Sequence, residues 1–459
     1  MRTMNNSVNR LLTLTACVLA AAAIALAKLA QAPAAPSPDA RYKADILVIV
    51  AHPDDETEIA GYLARAIYDE HKRVAVLYCT CGGAGGDTVS YAQGRALCDE
   101  REIEARRADA VLGITNVWFL GGLDTPTQNV LDSLAHWDQG AVLERAVRLV
   151  RLTRPDVIIT WIPDYVDGEN HGDHQASAVI ATEAFDLAGN PTVFPAQVAA
   201  PRNYESYGNL TEGLQPWQAE KLYFYSNPAH PEFEKGQGPV YSTTAISPSR
   251  HAPYYELAAR SASYHLTQLA SGPQGYQATY KAMLNHFKRP VQLILGKSLV
   301  GGSRTGDVFE GVVPGPIPFH PVTGYRPPHH SGLSIELGGP WRFYRQFWRA
   351  HDLEHIATLG SPEAGVESRG ALELPVVIRN DASAPAKITL TAEVPAGWMV
   401  NSGDAVYPVN AHGIYPTRIV FTAPTGTRPD WQTLTLKGES NGRSLGEIPF
   451  RVSYGRSGP

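Results

Sequence analysis

The run Ala44-Asp45-Ile46-Leu47-Val48-Ile49-Val50-Ala51 is short, apolar and β-branched, the pattern of a strand buried on both faces. Ile59, Leu63, Ala66 and Ile67 follow at helical spacing. Arg73 to Cys79 predicts a second buried strand, and Gln93 to Leu112 a helix charged on one side and closed by Gly113. Val117 to Leu120 predicts a third strand, Val142 to Leu152 a helix, Asp156 to Trp161 a fourth strand and Gln175 to Phe185 another helix. Strands alternating with helices predict an α/β layer, a Rossmann-like, mostly parallel sheet covered by helices. From 186 to 355 the pattern is less regular. Pro201 to Gly213 and Pro314 to Pro328 are loop-rich, Tyr254 to Gln268 and Tyr276 to Phe287 helical, Val291 to Leu295 a strand, and Trp341 to His355 an aromatic amphipathic helix. After Gly360-Ser361-Pro362-Glu363-Ala364-Gly365 the period switches to two. Leu372–Ile378, Lys387–Val394, Thr417–Phe421, Thr433–Leu436 and Pro449–Val452 are short strands split by Asn, Gly and Pro turns. That pattern predicts a C-terminal antiparallel β-sandwich.

The N-terminus departs from both patterns. Arg2 and Arg10 precede an apolar run from Leu11 to Ala27, and small residues and prolines follow from Ala30 to Pro38. A basic start, an apolar stretch and a small-residue exit predict a secretory signal. Ala25-Leu26-Ala27 and Ala30-Gln31-Ala32 both offer an exit. A retained anchor is the alternative, although the run is short for a bilayer, and Leu14-Thr15-Ala16-Cys17 offers a lipidation box. The expected organisation is a signal at 1–32, a linker at 33–42 and an α/β domain at 43–355, with its core at 44–185 and extended loops at 186–355. A linker at 356–369 and a sandwich at 370–459 complete it.

Composition narrows the classes. The chain has 459 residues, 44% hydrophobic and 18% charged, so collagen-like and wholly disordered readings are excluded. The net charge of −6 becomes −9 when Arg2, Arg10 and Lys28 leave with the signal. Such a chain lacks the basic excess of a nucleic-acid binder. The expectation is an exported protein, periplasmic or extracellular, without a stable membrane span after cleavage. Four cysteines are too few for a disulfide scaffold. An oxidising compartment permits one bond among Cys79, Cys81 and Cys98, with the pairing left open. Cys79 and Cys81, with no base evident nearby, read as small buried residues rather than nucleophiles.

The chemistry gathers at two motifs. Ala51-His52-Pro53-Asp54-Asp55-Glu56 ends the first strand, and His171-Gly172-Asp173-His174 follows the fourth. In open α/β sheets the carboxyl ends of the strands face the ligand crevice, so the two motifs can converge. His52, Asp55 and His174 supply two imidazoles and a carboxylate with positions left over, the layout of a catalytic zinc. Zinc lowers the pKa of bound water to about 7. Asp54, beside a ligand but not needed as one, is the expected general base. His171 is placed to protonate the leaving nitrogen or stabilise the oxyanion, and Asp173 to orient His171. The same ligand set suits ferrous iron. Gly82-Gly83-Ala84-Gly85-Gly86 lacks the Gly-Lys-Ser/Thr of a phosphate loop and is expected to let the backbone pass close to the pocket.

These motifs carry a resemblance. The first strand with Ala51–Glu56, then Thr80-Cys81-Gly82-Gly83-Ala84-Gly85, Arg101-Glu102-Ile103-Glu104-Ala105, Leu112-Gly113-Ile114, Leu120-Gly121-Gly122-Leu123-Asp124 and His171–Ala176 resemble, in order and spacing, the PIG-L/LmbE-like de-N-acetylases. His265-Leu266-Thr267-Gln268 matches a later segment. The resemblance implies a zinc-dependent hydrolase that removes an acetyl group from an N-acetylglucosaminyl-type substrate. It implies His52, Asp55 and His174 as zinc ligands, Asp54 as base and His171 as transition-state helper. Arg101 and Asp124 would contact the sugar, whereas Glu56 and Glu104 are read as structural. Some members carry a Tyr shortly before the first His of the last motif; here only Tyr165 stands near. Val394-Pro395-Ala396-Gly397-Trp398 resembles a turn of sandwich modules appended to bacterial glycan-processing enzymes. A buried Trp398 would make it a packing residue, an exposed aromatic face a carbohydrate binder. His329-His330 reads as a solvated loop, and Ser303-Arg304-Thr305-Gly306-Asp307 as a possible substrate loop. The rival reading is a non-catalytic exported glycan-binding protein on the same fold.

Overall fold

The computed structural model describes residues 39–166, 170–199, 212–228, 231–269, 272–327, 331–360, 362–401, 406–426 and 428–455. The expected signal at 1–32, most of the linker after it and His329-His330 lie outside the described residues. Among the described residues no helix is long and apolar enough to cross a membrane.

Five strands run parallel in one sheet: β1 (Ile46–Val50), β2 (Val74–Tyr78), β3 (Asn116–Phe119), β4 (Val157–Trp161) and β5 (Lys221–Tyr225). A two-residue pair, β6 (Val240–Tyr241) and β7 (Val291–Gln292), lies outside it, and β8 (Ile294–Ser298) closes the sheet antiparallel to β5. The order is β3-β2-β1-β4-β5-β8. Every residue of β1, β2, β4 and β5 is buried, as expected of strands covered on both faces. Leu47 and Ile49 point into one core with Val147, Val150, Val179 and Ile180. Ile46, Val48 and Val50 point into the other with Leu63, Ala105 and Ala259. Each such aliphatic side chain contributes about 1.5–3 kcal/mol. The chain runs from β1 to β2 and β3 on one side and crosses back to β4 on the other. That reversal opens a crevice at the carboxyl ends of β1 and β4, where Ile49 pairs with Thr160.

The C-terminal strands are β9 (Leu333–Leu337), β10 (Glu363–Val366), β11 (Ala371–Asn380), β12 (Ala386–Glu393), β13 (Met399–Asn401), β14 (Val406–Val409), β15 (Gly413–Thr422), β16 (Arg428–Ser440) and β17 (Arg443–Tyr454). They form two sheets, β10-β17-β16-β12-β14 and β13-β15-β11-β9, antiparallel apart from the β10–β17 edge. One core joins both through Val376, Ile378, Phe421, Leu390, Leu436 and Phe450. Trp398 is buried there, with its indole N–H on Gln432 Oε1 at 2.9 Å, so it packs rather than presenting a binding face.

The sheet does not respect the division expected at 356–369. β9 pairs with β11 from Leu337↔Val376 to Leu333↔Asn380, and β10 lies within the expected linker. The sequence Leu333-Ser-Ile-Glu-Leu337 alternates with period two, the signature of such a strand. Between the two strands the Gly339–Ala350 helix returns to the α/β layer. Tyr344 donates its hydroxyl to Gln175 Oε1 at 3.0 Å, and Trp348 its indole N–H to the Pro163 carbonyl at 2.8 Å.

Candidate active site

The turn after β1 is built around Asp55. Its Oδ2 accepts the backbone N–H groups of Ala51 and His52 and the indole N–H of Trp161, each at 2.9 Å. Its Oδ1 is thereby left to face His174 Nε2 at 3.1 Å and His52 Nδ1 at 3.6 Å. Burial would raise the Asp55 pKa, but the two imidazoles hold it well below the ordinary carboxylate range. Trp161 also lies flat on His174, 4.1 Å between ring centres with planes 6° apart. Ligand atoms about 2.0–2.1 Å from a tetrahedral zinc stand about 3.3 Å from one another. The two spacings to Asp55 Oδ1 lie close to that edge, so a cation on Asp55 Oδ1 would have an imidazole nitrogen of His52 and of His174 beside it.

The outer face of His52 is also fixed. Its Nε2 lies 2.8 Å from Asp124 Oδ1 and 3.5 Å from Asp173 Oδ2, the carboxylate support that orients a metal-binding imidazole. Burial lowers the His52 pKa, and the carboxylates of Asp55, Asp124 and Asp173 outweigh it and raise it. Asp124 Oδ2 accepts the Ala84 N–H at 2.7 Å. Asp124 borders the cleft, but its carboxylate is engaged by His52 and Ala84 where a sugar contact was expected. Asp173 departs from its expected role as well. Its carboxylate accepts the Thr125 N–H at 2.9 Å and hydroxyl at 2.7 Å, beside His52, and it is the Asp173 backbone N–H that approaches His171, 3.4 Å from Nδ1.

His171 caps the Gly172–Leu187 helix, its ring 4.0 Å from that of His174. Burial, then the neighbouring imidazoles, lower its pKa to about 2. With Nδ1 accepting, the neutral ring carries its proton on Nε2 and can donate there. Donor atoms of His52, His171 and His174 lie within 4.8 Å of one another, as do those of His52, Asp124 and Asp173.

Asp54 stands at φ 125°, a left-handed conformation that costs a non-glycine residue about 1–3 kcal/mol. The turn holds it there: its N–H donates to Glu56 Oε2 at 3.1 Å, and its carbonyl accepts the Thr57 N–H at 2.9 Å. Burial raises the Asp54 pKa to about 6 against the opposing charge of Arg101, whose Nη2 lies 3.3 Å from Oδ2. Arg101 is itself buried and clamps two backbones, the Gly82 carbonyl at 3.0 Å and the Pro53 carbonyl at 2.6 Å. It positions Asp54 as well as bordering the cleft. Gly82, at φ 69°, is required because a Cβ there would meet the Arg101 guanidinium. A disulfide joins Cys81 to Cys98, the pairing that the sequence left open, and Cys81 is half-buried rather than buried; Cys79 is free and buried.

These groups open into a cleft of about 770 Å³. Its far wall, which sequence reasoning left unassigned, includes His265, Gln268, Met283 and His286. His265 Nε2 is 3.0 Å from Glu56 Oε1, and Glu104 accepts the Thr267 N–H at 3.0 Å and hydroxyl at 2.7 Å. The structural reading of Glu56 and Glu104 thus acquires an object, the segment 265–268. Trp161 and Asn227 were also missed, and among the described residues the Ser303–Asp307 segment does not line this cleft.

Residues 47–185 match the family described as GlcNAc-PI de-N-acetylase. The 1D-myo-inositol 2-acetamido-2-deoxy-alpha-D-glucopyranoside deacetylase 1 of Frankia alni is 31% identical over 189 residues, 38% of this chain and 59% of that protein. The chain therefore spans about three fifths of that relative. The enzyme of the same name from Catenulispora acidiphila is 27% identical over 293 residues, 58% of this chain and 89% of its own length. The solved N,N'-diacetylchitobiose deacetylase of Pyrococcus horikoshii, complexed with its inhibitor, aligns over 55% of this chain and 84% of its own, at 17% identity and a TM-score of 0.39. The segment that holds His52, Asp54, Asp55, Arg101, Asp124, His171 and His174 is thus a PIG-L domain, residues 47–185 of this chain.

Proposed function

We propose that this chain is a metal-dependent hydrolase that removes an N-acetyl group from an N-acetylglucosaminyl-type substrate, with zinc as the metal. The observation that carries the reading is the division of labour on Asp55: Oδ2 is tied to three N–H donors, and Oδ1 faces His174 and His52. Zinc held by His52, Asp55 and His174 would polarise the acyl carbonyl and bring the pKa of a water to about 7. Asp54, raised to about 6, is the base that takes a proton from a water as its oxygen attacks the acyl carbon. The neutral His171 donates from Nε2 to the carbonyl oxygen as it gains charge. The C–N bond then breaks as the proton carried by Asp54 passes to the nitrogen, the second proton of the water leaves the new carboxyl group for the amine, and a carboxylate and an ammonium leave.

We also place the protein outside the cytoplasm. The Cys81–Cys98 bond suits an oxidising compartment, as does the basic-then-apolar N-terminal pattern. The test is metal content and acetate release from N-acetylglucosaminyl substrates, beside His174→Ala and Asp54→Asn. We expect about one zinc per chain, lost in His174→Ala and kept in Asp54→Asn, with turnover about 10²–10⁴-fold lower in the latter. A chain that takes up no metal after zinc reconstitution would sink the hydrolase reading.

A further inference from the structure

A second concavity, of about 600 Å³, lies between the Gly339–Ala350 helix and the sandwich. Its helix wall carries Arg342, Arg345 and Arg349, which share one face at i, i+3 and i+7, and Arg379 of β11 lines the sandwich side. The four guanidiniums gather in a chain whose net charge is −6. The acids of the groove are already engaged. Glu336 Oε2 accepts from Arg345 at 3.0 Å, and Glu447 lies 3.3 Å from Lys437. Arg379 has only a distant acid, Asp381, at 3.8 Å. Among the described residues, Arg342 and Arg349 have no acid within ion-pair distance. Two polar atoms of the lining, Arg379 Nε and Ser334 Oγ, are buried without a hydrogen-bond partner there. Like charges at helical spacing repel, and unsatisfied buried donors cost stability. A ligand that supplies oxyanions would relieve both.

We propose that this groove is a binding site for an acidic saccharide, separate from the metal cleft. Guanidinium forks match the planar oxygen pairs of carboxylate, sulfate and phosphate, and every unpaired cation of the lining is an arginine. A saccharide is favoured over a bare anion by the rest of the lining. Tyr325, 60% exposed, lines the groove, and Ile335, Ile448 and Pro449 supply apolar surface. Apolar and aromatic surface with a few convergent charges is the make-up of an organic-ligand site. The volume falls within the roughly 300–1,000 Å³ of such sites. The bound form is an acidic sugar or short oligosaccharide, free or as part of a longer chain.

The experiment is calorimetric titration of the full chain with trigalacturonate, a sulfated disaccharide, neutral chitotriose and inorganic pyrophosphate. The first two separate carboxylate from sulfate recognition. We expect at least one acidic sugar to bind, and the R342Q/R349Q double variant to weaken it tenfold or more. Any chitotriose binding and acetate release at the metal cleft should be unchanged in that variant. Because neither arginine side chain bonds to the fold among the described residues, the melting temperature should stay equal or rise. Absence of binding by both acidic sugars at low salt would overturn the proposal. So would equal affinity in the double variant, or pyrophosphate binding as tightly as the sugars.

Discussion

Replacing Asp124 with Asn separates two roles for one carboxylate. Oδ1 faces His52 Nε2 at 2.8 Å and Oδ2 accepts the Ala84 N–H at 2.7 Å. An amide can still accept from one of these donors, but its NH2 group then opposes the other. Burial would raise the Asp124 pKa, and the bond and charge of His52 bring it below the usual carboxylate range, so the group is ionised in the fold. Asn therefore removes a charge aimed at the imidazole proposed to hold the metal and breaks one hydrogen bond. Loss of such a supporting partner costs about 10–100-fold in metal affinity or activity, about 1.4–2.7 kcal/mol. The assay is competitive zinc titration against a chromogenic chelator, paired with steady-state kinetics on an N-acetylglucosaminyl substrate. We expect weaker zinc binding and a lower kcat at saturating zinc, with KM little changed. A raised KM with unaltered zinc affinity and kcat would refute the positioning role and restore Asp124 as a sugar contact.

Three further outcomes follow from packing, cross-linking and charge. Gly82→Ala places a methyl group against the Arg101 guanidinium at a positive φ, and should lower stability by about 1–3 kcal/mol in urea denaturation and weaken turnover by displacing Asp54. Cys98→Ser opens the bond to Cys81 across a sequence separation of 17 and should cost about 3 kcal/mol; reductant should lower the wild-type melting temperature and leave the variant's unchanged. Burial raises the pKa of Asp69, but bonds from Tyr254, Ser247 and Ser249 bring it down to about 2. A depressed carboxylate stabilises the fold above its unfolded pKa, near 3.9, and loses that contribution as pH falls through the folded one. Asp69→Asn should therefore be less stable than wild type at pH 6, and the gap should close between about pH 4 and pH 2 in thermal denaturation.

The local patterns were legible, and the long-range ones were not. β1, β2 and β4 stood out because strands buried on both faces are continuous apolar runs, bounded here by polar turns. Such strands also place their carboxyl ends together, which is why the sequence alone joins His52, Asp55 and His174. The partners of Asp124 and Asp173 were not legible because a carboxylate's partner is set by tertiary approach. Asp173 lies two residues from His171 in sequence but turns to Thr125 and His52. Trp161 passed as the last residue of a strand, although its indole N–H holds Asp55 in place. β9 was overlooked for a different reason: five alternating residues are a weak signal beside the aromatic helix that follows.

The excursion of β9 into the sandwich, with the Gly339–Ala350 helix returning to the α/β layer, makes the C-terminal sheets a poor cassette for recombination. A cut at 356–369 leaves β11 with an unpaired edge along Val376–Asn380. A cut before β9 keeps that edge covered but takes Tyr344, Phe347 and Trp348 out of the α/β core, where all three are buried. No single junction spares both halves. A graft or truncation must therefore carry residues 333–350 twice, or accept damage on one side. The two layers should melt in one transition, with calorimetric and van't Hoff enthalpies in agreement.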